Sequence, residues 1–120
     1  MARESVDRWI AEVKAMPEAA GIGMILVHEG IVRGHSRTGE PVAGMDLAVD
    51  RDRLALVLEE AAMWPGVIAV RARVDEGSLA VGDTIMNVLV AGDIREHVFG
   101  ALQQLVGRIK NEVVTEFETR

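Results

Sequence analysis

The sequence contains no cysteine and no tyrosine, and only 3% of its residues are aromatic. Without cysteine the chain forms no disulfide, no thiolate zinc or iron–sulfur site and no thiol nucleophile. The scarcity of aromatic side chains removes the surfaces on which nucleic-acid bases stack. Basic residues are also a minority, 13 against 19 acidic ones, which gives a formal charge of −6. Since nucleic-acid binding depends on Lys and Arg neutralising phosphates, we expect no nucleic-acid partner.

Long apolar runs are missing from the sequence as well. The longest strongly apolar stretch, residues 22–27, is far too short to span a bilayer. The first ten residues carry charges, among them Asp7 and Arg8, and lack the apolar block of a secretory signal. We therefore expect no membrane association and a cytoplasmic location. Because 49% of the 120 residues are hydrophobic, we expect residues 1–120 to form a single domain with its own core.

The spacing of apolar residues predicts an α+β fold. Two-residue alternation predicts strands, and apolar residues at helical spacing predict three helices. The predicted elements are a short helix capped by Ser5 and ended by Pro17, strands over 21–33 and 42–49, a helix capped by Asp50 that stops before Pro65, strands over 67–74 and 83–91, a helix from a capping Asp93 through Lys110, and the tail VVTEFE as a candidate edge strand. Because the links between successive strands are short, the strands are expected to pair antiparallel.

Motifs for metals, cofactors and activated serines are not found. The three histidines, His28, His35 and His97, form neither an i, i+4 pair nor an HExxH arrangement. Ser36 and Ser78 lie outside any GxSxG motif, and the glycines match neither a P-loop nor a GxGxxG fingerprint. We therefore expect no metal and no organic cofactor.

Positive charge is concentrated in the polar loop that follows the first predicted strand. Arg33, His35 and Arg37 lie close together around Gly34 and Gly39 in an otherwise acidic chain. Such a local concentration of charge can attract an anion even when the whole molecule repels it. The competing interpretation is a solvated loop whose arginines contact only water, and the pattern alone favours that interpretation.

Two further cations lie in the last predicted helix. Lys110 is near its C-terminal end, where the helix dipole stabilises a cation, whereas Arg95 is in its first turn, where the dipole opposes one. The penalty for Arg95 is at most about 1 kcal/mol. Its position therefore hints at a functional role.

Five short motifs follow one another along residues 20–112. They are GIVR at Gly30–Arg33, Gly39 with Val42, GSLAVGD at Gly77–Asp83, IREHVF at Ile94–Phe99, and IK at Ile109–Lys110. The ordered set resembles the family of the large, catalytic subunit of molybdopterin synthase, and the interval from Arg95 to Lys110 equals that of the family. The sequence departs from the family pattern at Val74 and Ile94, where the family has histidines, and at Phe117, where it has a second functional lysine.

The resemblance implies an α/β-hammerhead-type subunit with an antiparallel sheet and flanking helices. It implies a homodimer flanked by small ubiquitin-like sulfur carriers that end in Gly-Gly. The implied reaction moves sulfur from the carrier's C-terminal thiocarboxylate to cyclic pyranopterin monophosphate, which gives molybdopterin in molybdenum cofactor biosynthesis. No metal or organic cofactor is needed for that transfer.

The resemblance also suggests roles for the cations. Lys110 would be the catalytic residue at the carrier's tail, and the substrate-binding residues would be Arg33, Arg95, His35 and Arg37. The alternative is a catalytically degenerate homologue that acts as a dimeric anion-binding or carrier-binding module. The family's second lysine is replaced by Phe117 in this sequence. An active enzyme is favoured if another cation fills the place of that missing lysine, and Arg108 and Arg120 are the nearest candidates.

Two of these cations are far apart in the predicted fold. If residues 93–110 form one helix, Arg95 and Lys110 lie about 22 Å apart along its axis. One small pterin cannot contact both from the same chain. A site that uses both therefore combines Arg95 of one protomer with Lys110 and Arg33 of another, and we expect an obligate dimer with an anion pocket at or near its interface.

Overall fold

The computed structural model describes residues 5–119. In chain order this part of the protein consists of α1 (Val6–Lys14), a 3-10 helix (Pro17–Gly21), β1 (Met24–Ile31), β2 (Gly44–Val49), α2 (Arg51–Ala61), β3 (Val67–Val74), β4 (Gly77–Ala80), β5 (Thr84–Gly92), α3 (Arg95–Arg108), a π-helical turn (Ile109–Val113) and β6 (Val114–Thr119). All strand pairs are antiparallel. The predicted α+β class and the antiparallel pairing are confirmed.

The strands form two three-stranded sheets rather than one. The first sheet has the order β1-β5-β3, and the second has the order β4-β2-β6. The predicted edge strand at the tail is confirmed as β6, which pairs with β2 from Val49↔Val114 to Gly44↔Thr119. Strand β4 is not predicted from the sequence, because Gly77 and Gly82 signal only turns. It forms because Gly77–Ala80 finds a partner in β2, which is distant along the chain.

Several strand boundaries differ from the prediction by a few residues. The predicted strand 21–33 is shortened to β1, because Gly21 ends the 3-10 helix and Val32 turns away to donate its N–H to the carbonyl of Asp83 at 2.9 Å. The predicted strands 42–49 and 83–91 become β2 and β5. The predicted strand 67–74 is confirmed without change as β3.

The caps of the first two α-helices are confirmed. Ser5 Oγ accepts the N–H of Arg8 at 3.1 Å, and the Asp50 carboxylate accepts the N–H of Arg53 at 2.9 Å. Each cap satisfies a backbone donor that the first helical turn leaves without a partner.

The prediction for the last helix was wrong at its start. The N-cap of α3 is Ile94, which makes no side-chain cap, and not Asp93. The Asp93 carboxylate instead accepts the adjacent N–H of Ile94 at 2.6 Å and bonds to the ring of His97 at 2.8 Å. In a capped helix, such a carboxylate would accept an N–H of the first helical turn. Here the ring of His97 is its partner instead.

The end of that helix also differs from the prediction. The α-helix stops at Arg108, and Lys110 lies in the π-helical turn that follows. Two contacts explain the wider turn, since the carbonyl of Val113 accepts the N–H of Asp50 at 2.8 Å and Val114 already pairs with Val49 in the second sheet. The wider last turn places Val114 in register with Val49 at the start of β6.

Two apolar cores lie on opposite faces of β5. The larger core packs α2 and α3 against one face, with Val88 and Leu105 completely buried. The smaller core packs α1 against the other face, where Trp9 contacts the cluster of Leu89 and Ala91. Because side chains alternate along a strand, a central strand between two cores has a nearly continuous apolar sequence. No helix among residues 5–119 is long and apolar enough to cross a membrane.

Candidate functional site

A cleft of about 760 Å³ opens between the end of β1, the loop after it, the π-helical turn and β6. Its lining consists of Ile31, Arg33, His35, Ser36, Arg37, Thr38, Met45, Ile85, Lys110, Glu116 and Glu118. The apolar part of this lining comes from strands, and Met45 and Ile85 are almost fully buried in it. The cleft therefore has a rigid apolar base and a polar rim.

Arg33 and Arg37 are carried by a loop that is anchored at its beginning. Val32 is 1% exposed, donates its N–H to the carbonyl of Asp83 at 2.9 Å and accepts the N–H of Gly82 at 2.9 Å. The next residue, Arg33, is exposed. A buried, doubly bonded residue thus holds the backbone from which the arginine reaches the cleft.

The loop is closed on itself by Ser36, which is 9% exposed. Its N–H donates to the carbonyl of Glu40 at 2.8 Å, and its Oγ accepts the N–H of Glu40 at 3.2 Å. Ser36 Oγ also shares a hydrogen bond of 3.0 Å with Thr38 Oγ1. Gly39 has φ +89, a conformation that side chains disfavour, and turns the chain back. The backbone of the loop is therefore ordered, while the side chains of Arg33 and Arg37 are exposed.

Lys110 lines the cleft from the π-helical turn, whose backbone is held by buried neighbours. Ile109 is completely buried and Val113 is 3% exposed, so the π-helical turn is fixed to the core while Lys110 itself is exposed. A long flexible stem on a fixed backbone allows the ammonium to reach a ligand in the cleft.

The charges of the lining do not cancel. Three cations, Arg33, Arg37 and Lys110, face two carboxylates, Glu116 and Glu118, so the formal charge is 3 − 2 = +1 with His35 neutral. The ion pairs between side chains of residues 5–119 join other positions and use none of these three cations. In a chain of formal charge −6, this is a local positive site that suits an anion.

Arg95 lies apart from this cleft. Its side chain is 78% exposed at the start of α3, and its Nε is 3.7 Å from Glu96 Oε1. The fourteen residues of α3 separate it from the turn that carries Lys110, a distance of about 21 Å. The structure therefore brings together Arg33, His35, Arg37 and Lys110, and it leaves Arg95 on another surface of the same chain.

Position 117 does not face the cleft. Met45 pairs with Glu118, and Asp46 pairs with Phe117. Since paired residues share a face, Glu116 and Glu118 point to the cleft with Met45, whereas Phe117 is 64% exposed on the other face. The inward direction of this strand is thus occupied by carboxylates.

Arg108 is one candidate to replace the family lysine that is missing at Phe117, but its side chain is engaged elsewhere. It binds Glu112, with Nε and Oε2 2.7 Å apart, and also binds Glu60. These two carboxylates raise the pKa of Arg108. The other candidate, Arg120, lies outside the described residues.

Several lining residues are not singled out by the sequence. Ser36 stands out there only as a possible nucleophile, and Met45 and Ile85 are indistinguishable from other core residues. A signal for Glu116 and Glu118 does exist, because both are two-residue steps from Val114, which is buried. Within residues 5–119 no three side chains of His, Asp or Glu are grouped so as to hold a metal ion.

Comparisons with known proteins show the family of the chain. The family model described as the MoaE protein matches residues 3–112. An uncharacterized protein of Methanocaldococcus jannaschii is 30% identical over 92 residues, which cover 73% of this chain and 77% of that protein.

Solved structures share the fold. Molybdopterin synthase from Staphylococcus aureus superimposes with a TM-score of 0.76 at 19% identity, covering 98% of this chain and 86% of that one. The molybdopterin biosynthesis MoaE protein from Burkholderia ambifaria superimposes with a TM-score of 0.74 at 21% identity, covering 99% and 84%. A complex of subunits 1 and 2 of the molybdopterin-converting factor from Helicobacter pylori gives a TM-score of 0.68 at 16% identity, covering 95% and 78%. The chain thus belongs to the MoaE family, the large subunits of molybdopterin synthase, as a divergent member with a role in molybdenum cofactor biosynthesis.

Proposed function

We propose that this chain is the large subunit of an active molybdopterin synthase. In this proposal it transfers sulfur from the C-terminal thiocarboxylate of a small carrier subunit to cyclic pyranopterin monophosphate. The observation that carries the proposal is the meeting of Arg33, His35, Arg37 and Lys110 at one cleft. The phosphate-bearing pterin and the peptide's thiocarboxylate are both anions, and the cleft has a net positive charge within an acidic chain.

The two arginines of the loop are assigned to the phosphate. A guanidinium offers several N–H donors in a planar fork, which matches the oxygens of a phosphate group. Arg33 is fixed by the buried Val32 beside it, and Arg37 by the hydrogen bonds around Ser36. His35, between them in sequence, also lines the cleft and adds a further donor.

Lys110 is assigned to the sulfur that leaves the carrier. Once the sulfur has bonded to the pterin, water attacks the acyl carbon of the carrier and the bond from that carbon to sulfur breaks, which leaves a carboxylate on the carrier. Negative charge develops on the departing sulfur, and an ammonium nearby stabilises that charge. Lys110 lines the same cleft as the loop arginines, so the two anionic ligands would meet there. Ordered backbone on both sides reduces the rearrangement needed at the moment of reaction.

A small carrier subunit is the expected partner. The related structure from Helicobacter pylori contains two subunits of a molybdopterin-converting factor, which supports such a partner for this chain. The carrier is expected to be ubiquitin-like and to insert an extended tail that ends in Gly-Gly. Since glycine has no side chain, such a tail would need little room in the cleft.

A homodimer would explain the position of Arg95. Its guanidinium is exposed on a different surface from the cleft, at the opposite end of α3 from Lys110. In a dimer, Arg95 of one protomer can complete the phosphate site of the other. A monomeric mass in solution would contradict this part of the proposal.

A second function is favoured by the acidic strand. Glu116 and Glu118 face the cleft, whereas the position assigned to the second family lysine is Phe117 on the other face. A cleft with one lysine and two carboxylates could bind the pterin or the carrier without turnover. This second candidate is a dimeric binding module that has lost the chemistry.

A reconstituted reaction distinguishes the two functions. The assay supplies thiocarboxylated carrier and cyclic pyranopterin monophosphate and measures dithiolene formation by the native chain and by Lys110→Ala. The sequence contains two lysines, and the other one, Lys14, lies on α1. Lys14→Ala is therefore a matched control that removes the same charge away from the cleft.

The enzyme is expected to lose dithiolene formation in Lys110→Ala and to keep it in Lys14→Ala. A native chain that binds the pterin in calorimetry but forms no product would be the binding module. A native chain that neither binds the pterin nor forms product would refute both functions. Loss of pterin affinity in Arg33→Gln, with Arg8→Gln as a surface control, would assign the phosphate to the loop.

A further inference from the structure

Two arginines bind one carboxylate that is close to Lys110 in the chain, that of Glu112. Arg108 Nε donates to Glu112 Oε2 at 2.7 Å, and Arg108 Nη2 donates to Oε1 at 3.0 Å. Arg53 Nε donates to the same Oε1 at 3.0 Å, and Arg53 Nη2 donates to it as well. One carboxylate thus accepts four N–H groups from two side chains. We call this arrangement the Glu112 clamp.

The Glu112 clamp joins three elements of the fold. Arg53 belongs to α2, Arg108 is the last residue of α3, and Glu112 lies in the π-helical turn. Arg108 also binds Glu60 of α2. Because an arginine and a carboxylate that share two hydrogen bonds have a preferred geometry, such a pair fixes direction as well as adding stability. The clamp therefore fixes the π-helical turn relative to both helices.

The turn that the clamp holds has an unusual geometry. It is closed by the N–H of Val114, which donates to the carbonyl of Ile109 five residues earlier, whereas an α-helix bonds four residues back. Turns of this kind are rare, and the last carbonyls of a helix have no partner within the helix itself. We therefore expect the wide turn to need a restraint from outside the helix. The clamp supplies one from α2.

Lys110 and Glu112 lie on different sides of this turn. They are two residues apart, which at 3.6 residues per turn corresponds to roughly 200° around the helix axis. Lys110 accordingly lines the cleft, whereas Glu112 lines a smaller pocket together with Asn111 and Thr115, and the two pockets share no lining residue. The clamp thus holds the turn on one side while the ammonium is presented on the other.

The charges of the clamp and its neighbour cancel. Arg53 and Arg108 are two cations, Glu112 and Glu60 are two anions, and the sum is 2 − 2 = 0. The network therefore adds no net charge beside the cleft, in contrast to the cations that line it. We expect it to act through the position of the backbone and not through its field.

We propose that Glu112 is a positioning residue for sulfur transfer: held by Arg53 and Arg108, it keeps the π-helical turn in the form that presents Lys110 to the cleft. This inference rests on the proposed function. A misplacement of about 1 Å can cost about a hundredfold in rate, since an ammonium stabilises the departing sulfur only from the correct position. The phosphate is assigned to the loop after β1, a separate element, so loss of the clamp is expected to act on kcat and not on KM.

Two variants with opposite changes of charge test this role. Glu112→Gln makes the network more positive by one charge and Arg53→Met makes it more negative by one, yet both weaken the clamp. In both variants kcat for dithiolene formation is expected to fall on the order of tenfold or more, with KM for the pterin unchanged. A rise of kcat in one variant and a fall in the other would show that the network acts through its charge, and would overturn the proposal.

Arg51→Met is the matched control. Arg51 lies on the same helix, donates to the carbonyl of Val74 at 3.0 Å and lies 3.9 Å from Glu76, and among residues 5–119 it has no bond to the π-helical turn. Its kcat is expected to equal that of the native chain. Arg53→Lys keeps the charge but lacks the planar fork of donors, so it is expected to lose part of kcat.

Amide hydrogen exchange tests the clamp without turnover. The N–H of Val114 closes the π-helical turn, and it is expected to exchange on the order of tenfold faster in Glu112→Gln and in Arg53→Met. In Arg51→Met its rate is expected to be that of the native chain. The same Val114 rate in all three variants would overturn the proposal.

The outcomes separate this inference from the proposed function. If the native chain forms no dithiolene, the proposed enzyme fails, while the exchange rate of Val114 still decides whether Glu112 holds the turn. If the native chain is active and both clamp variants keep its kcat, the positioning role is refuted. Thermal unfolding identifies a variant that does not fold. In that event Arg53→Lys decides, and a native kcat there would refute the role.

Discussion

The loop that carries Arg33 and Arg37 offers a sharp test, because a single hydroxyl organises it. Ser36→Ala removes the hydrogen bond of 3.2 Å from the Glu40 N–H and the one of 3.0 Å shared with Thr38. A typical intramolecular hydrogen bond contributes about 0.5–1.5 kcal/mol. Two of them give about 1–3 kcal/mol for the closed form of the loop, which is about a 5-fold to 150-fold change in its opening equilibrium.

Amide hydrogen exchange measures this opening directly. The N–H of Glu40 is expected to exchange faster in Ser36→Ala by that factor, and the N–H of Gly39, which donates to the Ser36 carbonyl at 3.0 Å, is expected to follow it. Affinity for the phosphate-bearing pterin is expected to fall by up to the same factor, because the ligand must then order the loop itself. Calorimetry with the pterin gives that second number.

A matched variant controls for the loss of a hydroxyl in general. Ser78 donates to Asp46 at 2.5 Å on the face of the second sheet that points away from the cleft. Ser78→Ala is expected to leave both the Glu40 exchange rate and the pterin affinity as they are. If Ser36→Ala also leaves both unchanged, the loop is organised by its backbone alone, and the role assigned to the Ser36 hydroxyl is wrong.

Three further predictions concern stability, each measured by urea unfolding. Leu105→Ala, in a completely buried position, is expected to lower the free energy of unfolding by about 2–5 kcal/mol, whereas Leu56→Ala, with Leu56 39% exposed, is expected to lower it far less. Gly44→Ala is expected to destabilise the pairing of β2 with β4 by about 1–3 kcal/mol, because its Cβ would lie 2.6 Å from the carbonyl oxygen of Leu79; native stability would contradict that close approach. Arg108 and then Arg53 lower the pKa of Glu112 from 4.5 to about 2, so the stability due to this carboxylate is complete above pH 4.5 and is lost as the pH falls toward 2. Glu112→Gln should therefore be less stable than the native chain at pH 7, and an equal deficit near pH 3 would argue against the pairing.

Local signals in the sequence are sufficient to predict where α1 and α2 begin. Ser5 and Asp50 cap α1 and α2 as predicted, because a cap needs only a donor three residues away. Strand β3 is predicted in full from its alternation. These elements are decided by neighbours along the chain.

Elements that depend on partners distant along the chain are not predicted from local signals. Strand β4 consists of four residues near two turn glycines, and it becomes a strand only because β2 offers its edge. The π-helical turn forms because Val113 and Val114 are already engaged by Asp50 and Val49. Neither cause can be predicted from the residues of β4 or of the π-helical turn themselves.

For the candidate site, the inventory of charge and the family follow from the amino-acid order alone. The chain contains a cationic loop in an acidic background, a lysine near the end of the last helix, no cysteine, and an ordered set of motifs that points to MoaE. Which of those charges meet depends on the folded arrangement, which brings Lys110 to Arg33 and Arg37 and leaves Arg95 on another surface. It also turns Glu116 and Glu118 inward. The reason is physical: composition and periodicity specify which face of an element is buried, but the pairing of β6 with β2 and the width of one helical turn specify where an exposed side chain ends up.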